Sequence, residues 1–166
     1  MGREVRMVPA DWQHPKVNGR YAPLLKDGPD RWDEKRAKWY AGLVDDCRGG
    51  WVPKSDYHTG TYEEWAGERP SPDDCMPEWP ADQRTHLMMY ENTSEGTPIS
   101  PAFAKAEDLA RWLADNDASS FGSMTATYEQ WLSTINRGWA VTAVMVGGVM
   151  RSGVEEMAAA PTRRTP

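Results

Sequence analysis

Apolar positions in the second half of the chain repeat at helical spacing. One stripe predicts a helix over residues 104–116 with three side chains turned inward: Leu109, Trp112 and Leu113. A second stripe predicts a helix over residues 126–137 and consists of Met124, Tyr128, Trp131, Leu132 and Ile135. Gly138 follows at the position of a left-handed C-cap. The sequence therefore predicts two amphipathic helices that bury one face each.

Alternating positions predict strands on both sides of these helices. In the stretch 86–91, Leu87 and Met89 would face one way and His86, Met88 and Tyr90 the other. Gly147 and Gly148 read as the two-residue turn of a hairpin within residues 139–152. The strands predicted in all cover about 4–8, 86–91, 97–100, 140–146 and 149–152.

A third helix is predicted over residues 31–46, capped by Asp30 and ended by Gly49 and Gly50. Its apolar positions are Trp32, Trp39, Tyr40, Leu43 and Val44. Residues 61–64 match a capping box and predict a short helical segment through Trp65.

Taken together, the pattern predicts one α+β domain over residues 1–156, with about three helices on a small, mainly antiparallel sheet. Residues 51–80 lack regular periodicity but are rich in Trp and Tyr, so we expect them to be irregular yet packed. Residues 157–166 read as a C-terminal tail.

Charge and cysteine usage limit the class of protein. A net charge of −6 disfavours binding to nucleic acid through phosphates. No apolar run reaches the length of a membrane span, and the N-terminus has no signal-peptide pattern, so no membrane association is expected. Cys47 and Cys75 are too few for a disulfide framework, and both are expected as free thiols in a reducing compartment.

The residues with chemical potential do not form a known catalytic motif. His14, His58 and His86 lack metal-ligand spacing, so neither a metal nor a cofactor is expected. No phosphate-binding glycine loop and no G-x-S-x-G sequence is present. Nothing in the sequence indicates a reaction, and an enzyme without a recognisable motif stays an alternative.

One polar loop is the best candidate for a binding site. Residues 92–100 contain hydroxyl side chains around a glycine, held by prolines, and they follow a predicted strand. The candidate residues are Thr93, Ser94, Glu95, Gly96, Thr97 and Ser100, with His86 and Tyr90 beside them and Trp12, Tyr21, Trp65 or Trp79 as an aromatic wall. The other interpretation is a plain turn with its polar side chains in water.

Several motifs together resemble a group of small proteins encoded by tailed bacteriophages and prophages. They are GREVRMVPADW, MPEWP, THLMMYENTSEGTPISPAF and TYEQWL, and the similarity covers most of the chain, most loosely over residues 27–70. The resemblance implies a phage protein that works in the cytoplasm of the host bacterium. It transfers no activity to particular residues.

This context predicts a non-catalytic binding protein that counters a bacterial defence system. The partner would be a host defence protein that it inhibits, or a small nucleotide-like signal that it sequesters. A small virion or assembly component is the alternative, and a homo-oligomer is compatible with each of these functions.

Overall fold

The computed structural model describes residues 2–46, 50–92 and 96–159. In this part the chain has the mixed α+β fold that the sequence predicts. Its helices are α1 (Pro29–Tyr40), α2 (Tyr62–Ala66), α3 (Ala106–Asp115), α4 (Tyr128–Arg137) and α5 (Gly153–Ala159). Its strands are β1 (Arg3–Val8), β2 (Lys16–Val17), β3 (Arg20–Tyr21), β4 (Leu43–Asp45), β5 (Trp51–Pro53), β6 (His86–Glu91), β7 (Thr97–Pro98), β8 (Trp139–Ala140), β9 (Ala143–Val146) and β10 (Val149–Ser152).

The chain divides into two compact units. Unit 1 comprises Met1–Pro23 and Trp79–Pro166, and unit 2 comprises Leu24–Glu78. The single domain expected over residues 1–156 stays a prediction. Within the described ranges, every helix is too short or too polar to cross a lipid bilayer.

Unit 1 contains an antiparallel four-stranded sheet in the order β7-β6-β1-β8. The strands predicted near residues 4–8 and 86–91 are confirmed as β1 and β6. The strand predicted over 97–100 ends after two residues, at Pro98. Two prolines, Pro98 and Pro101, explain this short edge strand, since neither can donate a ladder hydrogen bond.

The predicted hairpin forms, but it is a separate two-stranded sheet of β9 and β10. Its turn residues Gly147 and Gly148 have φ of +57° and +81°, as a tight hairpin turn requires. The strand predicted over 140–146 is broken between β8 and β9. At this break the carbonyl oxygen of Thr142 accepts the backbone N–H of Gly153 at 3.2 Å, which draws the chain towards α5 and away from β1.

The main core lies between the sheet and helices α3, α4 and α5. Its buried residues are Met89, Leu109, Ala110, Leu113, Trp131, Ile135, Ala140 and Val154. Both predicted helical stripes supply this core. Of residues 139–152, Ala140 of β8 lies in this core, whereas the outer part of the hairpin is exposed. Val154 of α5 also belongs to the core.

Helix α5 was not predicted, and residues 157–159 of the predicted tail belong to it. Residues 160–166 lie outside the described part. The helix begins at Gly153, where an added Cβ would overlap the carbonyl oxygen of Val141. Only glycine allows the helix to start this close to Val141, which lies between β8 and β9.

Unit 2 is built around α1, which is shorter than predicted. Its N-cap is Gly28 with Pro29 in the first turn, rather than Asp30. It ends at Tyr40, and the left-handed Gly42 turns the chain into β4, which pairs with β5. The helical spacing of Leu43 and Val44 was misleading because cross-strand pairing decides their conformation.

The capping box predicted at residues 61–64 is confirmed. Thr61 accepts the Glu64 backbone N–H at 3.2 Å, and the Glu64 carboxylate accepts the Thr61 N–H at 2.8 Å. Further along, Cys75 and Met76 are buried, and Met76 donates its backbone N–H to the carbonyl of Leu25 at 2.8 Å. This contact joins the two ends of unit 2.

Candidate functional site

The ladder between β1 and β6 places two charged residues on an enclosed face of the sheet. Glu4 lies opposite Tyr90 and Arg6 opposite Met88, so these four side chains share one face. Met89 faces the other way, into the core. Glu4 and Arg6 are only 4% and 6% exposed, and burial of that degree is rare for charged residues.

A hydrogen-bond chain from residues 9–23 covers this face. The Tyr90 hydroxyl lies 3.2 Å from Trp12 Nε1 and 3.1 Å from His14 Nδ1. His14 Nε2 lies 2.7 Å from the carbonyl oxygen of Ala22. Because a carbonyl only accepts, His14 carries its hydrogen on Nε2 and accepts through Nδ1. Tyr90 therefore donates to His14 while it accepts from Trp12.

The charged pair lies directly against Tyr90. The Arg6 guanidinium is 4.3 Å from the centre of the Tyr90 ring, a cation–π distance. Arg6 Nε is 3.5 Å from Glu4 Oε2, which also accepts a hydrogen bond from Asn92 Nδ2 at 3.0 Å. We call Glu4, Arg6, Trp12, His14 and Tyr90 the buried polar cluster.

Two members of the buried polar cluster, Tyr90 and His14, are uncharged at neutral pH. Burial raises the pKa of the Tyr90 phenol. Burial also lowers the pKa of His14; the hydrogen bond to Ala22 opposes this shift, and the charge of Arg6 adds to it. At neutral pH both rings are uncharged, and their polar atoms are used within the cluster. The arrangement therefore fixes a structure rather than presenting an acid or a base to a substrate.

The structure brings together part of the predicted aromatic wall. Trp12 contacts the Tyr90 hydroxyl, and Trp79 packs edge-on against Trp12 with 4.8 Å between ring centres. Tyr21 packs edge-on against His14 at 5.5 Å. Trp65 belongs to unit 2 and packs there.

The other predicted site residues have mixed environments. Ser100 is buried, accepts the Met89 backbone N–H at 2.9 Å and donates to the Pro101 carbonyl at 2.8 Å, so its hydroxyl has a structural role. His86 is half-buried and shares a hydrogen bond with the neighbouring Thr85 hydroxyl at 2.9 Å.

The polar loop itself is only partly described. Gly96 has φ of +66°, the left-handed region that favours glycine, and Thr97 pairs with Glu91 in β7. Thr93, Ser94 and Glu95 lie outside the described residues. The role of this loop in binding stays a prediction.

The neutral state of His14 predicts a pH-dependent stability. Its pKa is lowered in the folded protein, so below about pH 6.5 the unfolded chain takes up a proton that the folded chain does not. Stability is fully present above this pH and is lost as the pH falls towards the lower folded pKa. Urea unfolding should show a loss between about pH 7.5 and about pH 5.5, with a slope from this group of at most about 1.4 kcal/mol per pH unit.

The variant His14→Gln tests this origin, because glutamine supplies one donor and one acceptor but does not titrate. Its stability should change less between the two pH values than that of the unmodified protein. His58→Gln, in unit 2, is the matched control and should keep the full pH dependence. An unchanged dependence in His14→Gln would contradict the assignment to His14.

Unit 2 presents an exposed aromatic surface, of which only Trp65 was a predicted site residue. Trp65 is 54% exposed although its ring packs on Trp39 and His58, with 5.4 and 4.9 Å between ring centres. Tyr57 and Tyr40 are 86% and 56% exposed. We call Tyr40, Tyr57, His58 and Trp65 the aromatic surface. The helical stripe predicted for α1 placed Tyr40 inward, which is wrong because the helix turns it outward beside Glu63 of α2.

The aromatic surface lies in the acidic part of the chain. Residues 24–78 contain eight Lys and Arg against thirteen Asp and Glu, so they carry −5 of the net charge of −6. Hydrogen bonds from Arg36 and Thr61 lower the pKa values of Glu63 and Glu64, which keeps both carboxylates next to Trp65 ionised at neutral pH. This uneven charge was readable from the sequence and is the signal that could have indicated the surface.

A second exposed apolar feature is the end of the β9–β10 hairpin. Met145, Val146, Val149 and Met150 are between 45% and 64% exposed. Strands with one buried face alternate apolar and polar residues, but these positions are apolar on both faces. In the sequence MVGGVM, apolar residues do not alternate with polar ones, and this pattern was the signal for an exposed apolar hairpin end.

Neither metal ligands nor reactive cysteines stand out in the described ranges. No group of three or more His, Cys, Asp or Glu side chains that could hold a metal ion occurs there. Cys75 is a buried free thiol whose Sγ lies 3.3 Å from the Ser71 carbonyl oxygen, and burial raises the pKa of this thiol. Cys47 lies outside the described residues.

Comparison of the chain with protein-family models, curated proteins and solved structures gives no match.

Proposed function

We propose that this protein is a phage-encoded, non-catalytic binding protein that counters a bacterial defence system by inhibiting a host protein in the host cytoplasm. The observation that carries the proposal is the exposed aromatic surface in the acidic unit 2. Tyrosine and tryptophan are enriched among residues that dominate protein–protein binding. A partly exposed Trp65 that is already held by two other rings loses little side-chain freedom on binding.

Charge indicates the kind of partner. Glu63 and Glu64 directly precede Trp65 in the chain; Glu63 is paired with Arg36, and unit 2 as a whole carries −5. Complementary charge steers association and excludes partners of the same sign. The proposed target is therefore a host protein with a basic surface and an apolar pocket for an aromatic side chain.

The buried polar cluster makes a nucleotide-like ligand the weaker of the two expectations. Trp12 was expected in an aromatic wall for such a ligand, with Tyr90 beside the polar loop. Their polar groups bind each other and His14 instead. A ligand could use these polar atoms only by breaking these bonds.

Trp65→Ala is expected to abolish capture of the partner. Tagged protein purified from infected cells should carry a host protein in a stable complex seen by native mass spectrometry. Loss of a central aromatic anchor typically costs at least about 2 kcal/mol, or roughly thirtyfold in affinity. Tyr57→Ala removes a nearly fully exposed ring and should weaken capture without affecting folding.

Val17→Ala is the control, since this exposed valine lies in unit 1 on the β2–β3 hairpin. It should capture the same host protein as the unmodified chain. Phage carrying Trp65→Ala should plate poorly only on hosts that possess the captured protein. A retained small molecule in place of a protein, or equal plating on both hosts, would contradict the proposal.

A further inference from the structure

We propose that the end of the β9–β10 hairpin pairs with the same hairpin of a second copy of this chain. This surface is distinct from the aromatic surface of unit 2, so the inference goes beyond the proposed function. The hairpin tip, as we call it, consists of Met145, Val146, Val149 and Met150, each between 45% and 64% exposed. It is the turn end of a two-stranded sheet, and α5 contacts both strands of that sheet.

The absence of charge at the hairpin tip allows a second copy to be the occupant. Each chain carries −6, so two copies repel each other over most of their surfaces. Residues 138–150 form the longest stretch of the sequence without Asp, Glu, Lys or Arg, thirteen residues in all. Contact through this neutral stretch brings two acidic chains together without opposing like charges directly.

The hairpin also offers backbone groups for pairing. In the described part of the chain, β9 and β10 pair with each other and have no further ladder partner. Such edges are usually protected by a lysine, a proline or a bulge. After the turn, the first charged side chain is Arg151, and it donates a hydrogen bond to Glu156 at 3.0 Å. The hairpin tip itself therefore has no charged side chain that would protect its edges. Antiparallel pairing of two identical edges about a two-fold axis satisfies both copies equally.

The size of the surface sets the strength of the dimer. Four side chains at the observed exposure present roughly 400 Å² of apolar surface per copy, divided between the two faces of the hairpin. A stable interface buries about 800 Å² per partner. The hairpin tip, even with backbone pairing, therefore makes a weak and concentration-dependent dimer rather than an obligate one.

Sedimentation velocity over a concentration series tests this inference directly. The full chain should be monomeric at about 5 μM and partly dimeric at about 500 μM, as expected for a small interface. Raising the salt concentration should strengthen the dimer, because salt screens the repulsion between two acidic chains. A monomer at all concentrations, or a dimer that salt dissociates, would overturn the proposal.

Two matched valine variants locate the interface. Val149→Glu places a charge in the hairpin tip, whereas Val17→Glu places the same charge on the β2–β3 hairpin of the same unit. The two valines are 58% and 62% exposed, and each lies next to a two-residue turn. Val149→Glu should weaken the dimer at least about tenfold, since the carboxylate would have to be buried without a partner. Val17→Glu should dimerise like the unmodified chain.

A milder variant distinguishes loss of contact from loss of folding. Val149→Thr keeps the shape and the strand preference of valine but adds a hydroxyl. If Val149→Glu is misfolded by circular dichroism, the folded Val149→Thr should still dimerise more weakly than Val17→Thr. Equal dimerisation of the two threonine variants, or of the two glutamate variants, would place the interface elsewhere and refute the inference.

Discussion

Trp131→Ala is expected to lower the free energy of unfolding by about 3–5 kcal/mol, because it removes a large, fully buried side chain and leaves a cavity. Trp131 lies on α4 in the centre of the main core, among Leu109, Leu113 and Val154. Three different elements meet there, so the neighbours can close the cavity only in part. Urea titration at constant m-value measures the loss.

Within the described residues, the indole N–H of Trp131 has no hydrogen-bond partner. Its removal therefore leaves no carbonyl unpaired, and no lost hydrogen bond contributes to the measured loss. Trp65→Ala is the matched control, because this ring is half exposed and should cost less than half as much. A loss below about 1 kcal/mol for Trp131→Ala would show that the α4 stripe is not a core face.

Glu4→Leu is expected to destabilise the fold by a similar amount, about 3–5 kcal/mol, since it removes one member of a buried ion pair. Adding Arg6→Met should recover most of this loss. Methionine retains an apolar stem against the Tyr90 ring and carries no charge. The double-mutant cycle therefore has a large coupling energy between the two positions.

An exposed pair provides the control for this cycle. Arg31 and Glu34 are in contact on the surface of α1, and Glu34→Leu should change stability by less than about 1 kcal/mol. Additive losses from Glu4→Leu and Arg6→Met would contradict the description of a coupled buried pair. Chemical unfolding of the four variants and the unmodified protein gives the free energy of unfolding of each, from which the coupling energy follows.

The two units differ in what they offer to other molecules. Unit 1 is nearly neutral, since it carries −1 of the net charge of −6, and its exposed apolar feature is the hairpin tip. Unit 2 carries the remaining charge and the aromatic surface. The proposed partner binding thus uses an acidic, aromatic surface, and the proposed self-association uses a neutral, aliphatic one. A variant at Trp65 should affect only partner binding, and a variant at Val149 only self-association.

The candidate site could be predicted only in part. The sequence indicated that Trp12, Trp79 and Tyr90 belong together, and they do. It could not indicate that the His14 ring would form hydrogen bonds with both the Tyr90 hydroxyl and the Ala22 carbonyl oxygen. Trp12 and Tyr90 are 78 residues apart in the chain, and no local pattern encodes a hydrogen bond over that distance.

The amino-acid sequence by itself determined the features that neighbouring residues control. Helices α3 and α4 follow from apolar spacing, the ends of α2 and α4 from Thr61 and Gly138, and the hairpin turn from Gly147 and Gly148. Each depends on side chains and dihedral angles within about one helical turn or one tight turn. Such interactions act equally in a short segment and in the whole chain.

Tertiary structure decided where elements stop and which faces are buried. Helix α1 ends at Tyr40 because residues 43–45 pair with residues 51–53, and the strand predicted over 140–146 breaks where α5 approaches Thr142. Glu4 and Arg6 share a face with Tyr90 because β6, more than eighty residues later, supplies the partner strand, and residues 9–23 cover that face. Burial and strand pairing depend on segments that meet only in the folded chain, so the local pattern of the sequence cannot fix them.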